Sequence, residues 1–456
     1  MKKALVLIIA ILCLCGTHAS AFQFNKNDKI VFIGNSITHG GSYHAILRTF
    51  LATRYQKNIR ILNKGIAGDV VTGVLNRFDK DILSDKPTVA FVMLGMNDVK
   101  RTLYSEKPTD YDINAQKEAY ALYKEKTEEL IGKLIDNNIR IILLTPTMFE
   151  ESPVLKRENY IGVNSALGKC ADFIQTMGNK YDLVVVNFHS IMNSLNQQEQ
   201  ARDSTFTIVG QDRVHPGDLG HFVMGYQLIK TIQKQDTLVA ELSIDAKRRK
   251  ATKAVNCNAR KIRTKNGNLS FDLLENSLPF PLSEFDKKGQ QFVPFSDELN
   301  QEILSITSLQ PRKYNVFIDT TEIGTFDSNT LENGLRLDEI SQTPQYMQAI
   351  KVNHLSNEIK NLQAQIRNLR YVEYHRFKID VSSFSIEKLM ALAEQKIVEL
   401  ENSNFPYKDY FVLTLNNYIK NIGNEIQTKH LIENMRTEMF KLSKPVSHHY
   451  RLELIN

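Results

Sequence analysis

Between Lys29 and about Lys234, short apolar runs alternate with stretches in which apolar residues recur every three or four positions. The runs 30–33, 59–62, 89–94, 141–145 and 183–186 have the length and β-branched content of strands. The stretches 43–55, 115–136 and 159–181 have the period of amphipathic helices. Strands that are apolar at nearly every position are buried on both faces, and strands separated by helices join through crossovers. The pattern predicts an α/β fold with a parallel sheet between two helical layers. In such a sheet ligands bind beyond the carboxyl ends of the strands, so the loops that follow them are where chemistry is expected.

The pattern changes near residue 240. Residues 304–309 and 314–318 alternate with period two, as half-buried strands do, and Val316-Phe317-Ile318-Asp319 followed by Thr320-Thr321-Glu322 reads as a hairpin. Lys265-Asn266-Gly267-Asn268 reads as a turn. Residues 240–335 are expected to form a small β-sandwich-like domain. Beyond it, Leu355, Ile359, Leu362, Ile366 and Leu369 form a seam with steps of four and three, and Ile386, Leu389, Ala393, Ile397 and Leu400 mark a second amphipathic helix. Residues 336–456 are expected to be a helical region whose last stretch, 446–455, alternates again and returns a strand to the β-domain. A seam this short favours a helical hairpin within the chain; a homodimer through this region is the alternative.

The N-terminus changes the picture. Lys2 and Lys3 precede an unbroken apolar run from Ala4 to Leu14, and Ala19-Ser20-Ala21 offers a small-residue cleavage site. This is the pattern of a signal peptide over residues 1–21, which predicts an exported protein, periplasmic or extracellular. The run falls short of the roughly 20 residues a membrane-spanning helix needs, and no later run reaches that length. Leucine rather than a small residue precedes Cys13 and Cys15, which argues against a lipid anchor. Cleavage leaves a catalytic-sized segment, 22–239, and the two regions above; of the four cysteines only Cys170 and Cys257 remain. One disulfide is open to the chain, a disulfide-built scaffold is not, and Cys170 in its helical pattern reads as a buried thiol. Loss of Lys2 and Lys3 takes the net charge from +6 to +4, nearly balanced for this length. With no zinc-finger spacing and no long basic arm, nucleic acid is excluded as a partner, and Lys247-Arg248-Arg249-Lys250 reads as a solvated connector. The absence of tryptophan argues mildly against a tryptophan-platform carbohydrate module.

Two segments carry chemistry. Gly34-Asn35-Ser36-Ile37-Thr38 puts a serine directly after an apolar strand, where the chain turns sharply. Asp212-Arg213-Val214-His215-Pro216 supplies a carboxylate and an imidazole three residues apart. Together they give the three groups of a serine-nucleophile hydrolase in the order Ser, Asp, His. A serine at such a junction is commonly only a helix cap. Here, however, Asn63-Lys64-Gly65-Ile66-Ala67-Gly68-Asp69 follows the second strand, Gly95-Met96-Asn97-Asp98 follows the third, and Gly217-Asp218-Leu219-Gly220 opens the closing helix.

With these blocks in register over residues 28–235, the chain resembles the SGNH hydrolases of the GDSL esterase family, named for Ser, Gly, Asn and His. The resemblance implies a flavodoxin-like three-layer parallel sheet for the first domain. It implies Ser36 as nucleophile, His215 as general base and Asp212 as the acid that holds the imidazole. It implies an oxyanion hole made of the Ser36 and Gly68 backbone N–H groups and the Asn97 side-chain amide. Glycine at 68 is expected to let the backbone approach substrate without a Cβ in the way. One departure stands out: Asn35 occupies the position where the family has aspartate, which is not a triad position. Asp98 is expected to support its loop, and Arg101 and Tyr104 are candidate substrate contacts on the rim. His39 and His44 follow Ser36 closely enough to line the site, although a polar-capped helix start explains them equally; His221 reads as packed or solvated. No cofactor is implied, and no His-x-x-x-His pair or matching carboxylate spacing suggests a metal.

The function expected is that of a secreted serine esterase cleaving short acyl groups, acetyl above all, from carbohydrate or another small ester. The alternatives are a lipase, lysophospholipase or thioesterase of the same family, or a non-catalytic glycan-binding protein that works through its C-terminal half.

Overall fold

A computed structural model describes residues 22–55, 57–152, 155–233 and 238–455. The expected signal peptide lies outside them. The first part of the chain runs β1 (Lys29–Gly34), α1 (Ser36–Gly40), α2 (Ser42–Arg54), β2 (Arg60–Gly65), α3 (Val71–Asn76), β3 (Val89–Met93), α4 (Asp110–Asp136), β4 (Arg140–Leu144), α5 (Val163–Tyr181), β5 (Val184–Val186), α6 (Phe188–Gln200) and α7 (Asp218–Ile232). The five strands form one parallel sheet in the order β2-β1-β3-β4-β5. Strand side chains alternate between faces, so both faces of this sheet are packed. Ile30, Phe32 and Phe91 meet α2, α6 and α7 on one side, while Val31, Ile33 and Val92 meet α3, α4 and α5 on the other. The expected α/β architecture is therefore present, with the ends of β1, β2 and β3 side by side.

Of the element bounds that differ from the expected runs, two have a clear physical reason. β2 continues through Asn63 and Lys64 to Gly65 because these polar residues find partners inside: Asn63 bonds to His39 O and to the Gly65 N–H, and Lys64 pairs with Asp81 and Asp85. α4 starts ahead of its apolar stripe, where Thr109 and Asp112 form a reciprocal capping box.

The middle of the chain runs β6 (Ala240–Asp245), β7 (Lys250–Val255), β8 (Cys257–Lys265), β9 (Asn268–Glu275), α8 (Glu284–Gly289), α9 (Phe295–Leu299), β10 (Glu302–Thr307), β11 (Lys313–Ile318), β12 (Thr321–Asp327), α10 (Ser328–Asn333) and β13 (Leu335–Arg336). The rest is α11 (Pro344–Tyr371), α12 (Ile386–Glu401), α13 (Lys408–Ile422), α14 (Glu425–Leu442) and β14 (His448–Leu454). Two sheets, β13-β10-β6-β7 and β12-β11-β14-β9-β8, share one core that includes Leu242, Ile306, Phe271, Val316 and Leu452. β14 lies between β11 and β9, so the last strand completes the second sheet. Lys247 to Arg249 form the exposed turn of the β6–β7 hairpin, closed by Asp245 accepting from the Arg248 N–H.

The boundaries 240–335 and 336–456 divide the chain differently from its cores. Phe280, Leu282, Phe295 and Leu299 pack into the first domain, with Phe295 stacked on Phe222 of α7. The segment returns there because Arg54 of α2 is buried and donates to Leu299 O and Asn300 Oδ1, and the Leu278 N–H bonds to Thr53 O. α11 buries its seam inside the chain: Leu355 and Ile359 meet Leu278 and Ala52 on one side and Ile432 and Met439 of α14 on the other. Cys170 is a buried free thiol and Cys257 a half-buried one, so no disulfide joins them.

Candidate active site

The turn after β1 is forced by size. A Cβ on Gly34 would fall 2.2 Å from Thr38 Oγ1 and 2.8 Å from Met93 O, so only glycine passes there. Asn35 then caps α1, its Oδ1 accepting from the Ile37 N–H at 3.1 Å. An amide oxygen thus fills the capping role open to the family's aspartate, and Ser36 stands at the head of the helix beyond the carboxyl end of β1.

Asp212 and His215 lie on a tight loop before α7. The Gly210 N–H donates to His215 O at 2.7 Å and the Arg213 N–H to Gly210 O at 3.0 Å. Arg213 holds φ +68, unusual for a residue with a side chain. Its buried guanidinium compensates by donating to four carbonyls, those of Glu150, Ser152, Leu155 and Arg157. Within the loop, Asp212 Oδ1 accepts from the N–H groups of Val214 and His215 at 3.1 and 3.0 Å. Its Oδ2 is 2.5 Å from His215 Nδ1, and His215 Nε2 is 2.7 Å from Ser36 Oγ. Partial burial pushes the Asp212 carboxyl upward, but the bonds from the His215 ring and the two N–H groups outweigh it and hold it well below the usual carboxylate range. Both side chains remain open, 45% exposed for Asp212 and 47% for His215.

Opposite them stands the block that follows β2. Gly68 has φ +79, and a Cβ there would meet no protein atom within 4 Å. Glycine is required by the backbone conformation, so the protein itself does not crowd a Cβ there. Asn97 uses one amide hydrogen to bond Asp69 O at 2.9 Å, which ties the glycine and asparagine blocks together and leaves the other hydrogen for a ligand. Asp98 accepts from the N–H groups of Val71 at 2.8 Å and Gly95 at 2.9 Å. Burial raises its carboxyl to about 6 in spite of those bonds.

The two rim candidates separate. The Arg101 guanidinium interacts with Tyr160 and Asp212, and its Nη1 is buried with no hydrogen-bond partner among the described residues. Tyr104 packs against Gly162 and lines a neighbouring cavity of about 390 Å³ with Tyr120 and Ile161; Ser36 and His215 are not in that lining. The three other candidate histidines make internal contacts. His39 is buried, and its Nδ1 accepts from the Ala67 N–H at 3.2 Å; burial and then the Arg367 charge push it down to about 4, which keeps it a neutral acceptor. His44 is buried against Thr38 O, and His221 stacks on Tyr43. No group of three or more His, Cys, Asp or Glu among the described residues is arranged to hold a metal.

One set of side chains at the site escaped the motif reading. Arg77 donates from Nε and Nη2 to Asp69 Oδ2 at 2.9 and 2.8 Å, and Asp81 gathers Lys64, Arg77 and Arg367. Arg77 is fully buried, and nothing in the sequence marks it as such.

Compared with known proteins, residues 32–222 match the GDSL-like lipase/acylhydrolase family. An acetylxylan esterase from Geobacillus stearothermophilus is 26% identical in an alignment 235 residues long that covers 46% of this chain and 96% of that protein. Over nearly the whole chain the structure is similar to that of a gut microbial diltiazem-metabolizing enzyme, with 27% identity, a TM-score of 0.85, and coverage of 96% of this chain and 100% of the other. The crystal structure of an acetylxylan esterase from Geobacillus stearothermophilus aligns over 45% of this chain and 94% of its own, with 24% identity and a TM-score of 0.37.

Proposed function

With residues 32–222 belonging to the GDSL-like lipase/acylhydrolase family, we propose that this ester-cleaving hydrolase is an exported serine esterase that removes short acyl groups, acetyl above all, from carbohydrate. The observation that carries the reading is the 2.7 Å approach of His215 Nε2 to Ser36 Oγ, with Asp212 on the other ring nitrogen. In the reaction, Ser36 Oγ attacks the acyl carbon as its proton passes to His215 Nε2. The carbonyl oxygen becomes an oxyanion that accepts from the Ser36 and Gly68 N–H groups and from Asn97 Nδ2. Collapse breaks the ester C–O bond, and His215 returns the proton to the leaving hydroxyl. A water activated by the same imidazole then hydrolyses the acyl-serine. Asp212, held ionised by its three hydrogen bonds, fixes the imidazole tautomer and stabilises the imidazolium.

Two further observations support the substrate class. The curated relative is an acetylxylan esterase, and the half-exposed Asp212 and His215 suit an ester borne on a bulky chain that cannot enter a closed cavity. Hydrolysis is the test, read as acetate release from acetylated xylo-oligosaccharides and as p-nitrophenol release from p-nitrophenyl esters from acetyl to decanoyl. The acetyl esters should turn over fastest, and Ser36→Ala should fall to background. Rates that climb with acyl length would move the enzyme to lipid esters, and undiminished turnover in Ser36→Ala would remove the mechanism. Export rests on the pattern of residues 1–21. Protein recovered outside the cytoplasm should begin at Phe22.

A further inference from the structure

We propose that Arg367, on α11 and far outside the family-matched segment, is a positioning residue for the oxyanion block Gly65–Asp69. The inference rests on the ester-hydrolysis reading above. Arg367 is 3% exposed, and its guanidinium makes three bonds: Nε to Gly65 O at 3.0 Å, Nη1 to Asp81 Oδ1 at 2.7 Å and Nη2 to Asp81 Oδ2 at 2.6 Å. Asp81 also accepts from Arg77 Nη1 at 2.5 Å and Lys64 Nζ at 3.3 Å. Arg77 in turn grips Asp69 and donates to Lys64 O at 2.8 Å. One buried array of charges therefore holds both ends of the block that contains Gly68.

The middle of the block is held as well. The Ala67 N–H bonds to His39, Asn97 bonds to Asp69 O, and Ile66 and Ala67 pack on Leu369, Tyr371 and Val372, beginning two residues past Arg367 on the same helix. The chain has no slack here, because a Cβ on Gly65 would fall 2.3 Å from the His39 backbone nitrogen. An oxyanion donor lowers the barrier only if it already points where charge will develop, and a misplacement of about 1 Å costs roughly 10²-fold in rate. The planar fork of arginine can reach a carbonyl and both oxygens of a carboxylate at once; an ammonium offers no such plane. The helical region thus supplies part of the scaffold that orients Gly68.

The test is steady-state kinetics of the full-length protein on p-nitrophenyl acetate, with thermal unfolding followed in parallel. Arg367→Lys keeps a charge for Asp81 and loses the donor to Gly65 O. Asp81→Asn loosens the same clamp from the other side. Glu433→Gln is the control, since it loosens the ion pairs of Glu433 with Arg60 of β2 and Arg436 of α14 and leaves the bonds to Gly65 and Asp69 in place. Arg367→Lys and Asp81→Asn should each lower kcat by about tenfold with KM unchanged, and Glu433→Gln should change neither. Combined with Asn97→Ala, Arg367→Lys should lose less than it does alone, because both act on one set of donors. A folded Arg367→Lys or Asp81→Asn enzyme with wild-type kcat, or a loss confined to KM, overturns the proposal. Ser36→Ala run alongside separates the two failures. If it retains activity, the esterase reading fails; if it is inactive while Arg367→Lys matches wild type, only the positioning role fails.

Discussion

On one side of Ser36, the loop that carries Asp212 and His215 is closed by its own short-range hydrogen bonds and tied through Arg213 to residues 150–157, and both side chains face solvent. On the other side, Gly65 to Asp69 are fixed by buried charges, one of them 302 residues away along the chain. The difference follows the chemistry. A general base alternates between neutral and charged forms, and water stabilises both, so an open loop serves it. A hydrogen-bond donor for a transient oxyanion must not reorganise when charge develops, so the backbone on either side of the exposed Gly68 is held by buried groups. The proposed base side is thus held within the first domain, by its own turn and by residues 150–157, whereas the proposed oxyanion side also draws on α11.

Variants can break this comparison at both ends. The largest effect is expected from His215→Ala, which removes the proton carrier and should lower kcat/KM by roughly 10³–10⁶-fold on p-nitrophenyl acetate. Asn97→Ala, on the other side, should cost about 10²–10³-fold in kcat at unchanged KM. Stability should split the two sides in the opposite sense. Arg77→Met leaves Asp69 and Asp81 without their shared buried partner, and chemical denaturation should show a loss of about 3–5 kcal/mol. Asp212→Asn, at an exposed pair, should change stability by less than about 1 kcal/mol while strongly reducing activity. Equal destabilisation by the two variants would erase the distinction.

The pH dependence should carry opposite signs on the two sides. Burial raises Asp98 from 3.8 to about 6, so the folded state holds that proton more tightly than the unfolded chain. Its contribution to stability therefore falls as pH rises from about 4 to about 6 and is flat above. Asp212 lies below its ordinary value, so what it contributes is present at neutral pH and is lost as pH falls. Asp98→Asn should remove the first slope, read from urea midpoints across that range. A modest effect is expected at Asn35: Asn35→Ala deletes the cap on Ile37 and should cost about 1 kcal/mol.

The same contrast explains what could be read in the sequence. Asp212-x-x-His215 is legible because its geometry is local, and the five parallel strands are legible because each is apolar at nearly every position. Gly68 and Asn97 are legible through the resemblance to the family's blocks, in segments that follow strands, and Gly68 fits there by its φ of +79, with no neighbouring protein atom to exclude a Cβ. Arg367 was illegible: on a long helix it has the periodicity of any polar residue, and only the tertiary fold brings it to Gly65. β7 and β8 were missed because their mostly exposed lysine- and arginine-rich faces give no apolar alternation, a common property of strands at sheet edges. Phe280 to Leu299 were placed with the β-domain because they lie between its strands in sequence, while their aromatic side chains complete the other core.

The most direct test of the esterase account is to quench the full-length protein with acid during turnover of an acetyl ester and locate any bound acyl group by peptide mass spectrometry. The account predicts one added acetyl group on the peptide containing Ser36, strongly reduced in His215→Ala and absent from Ser36→Ala. An acetyl group on another residue, or acetate released at the wild-type rate by Ser36→Ala, would contradict it.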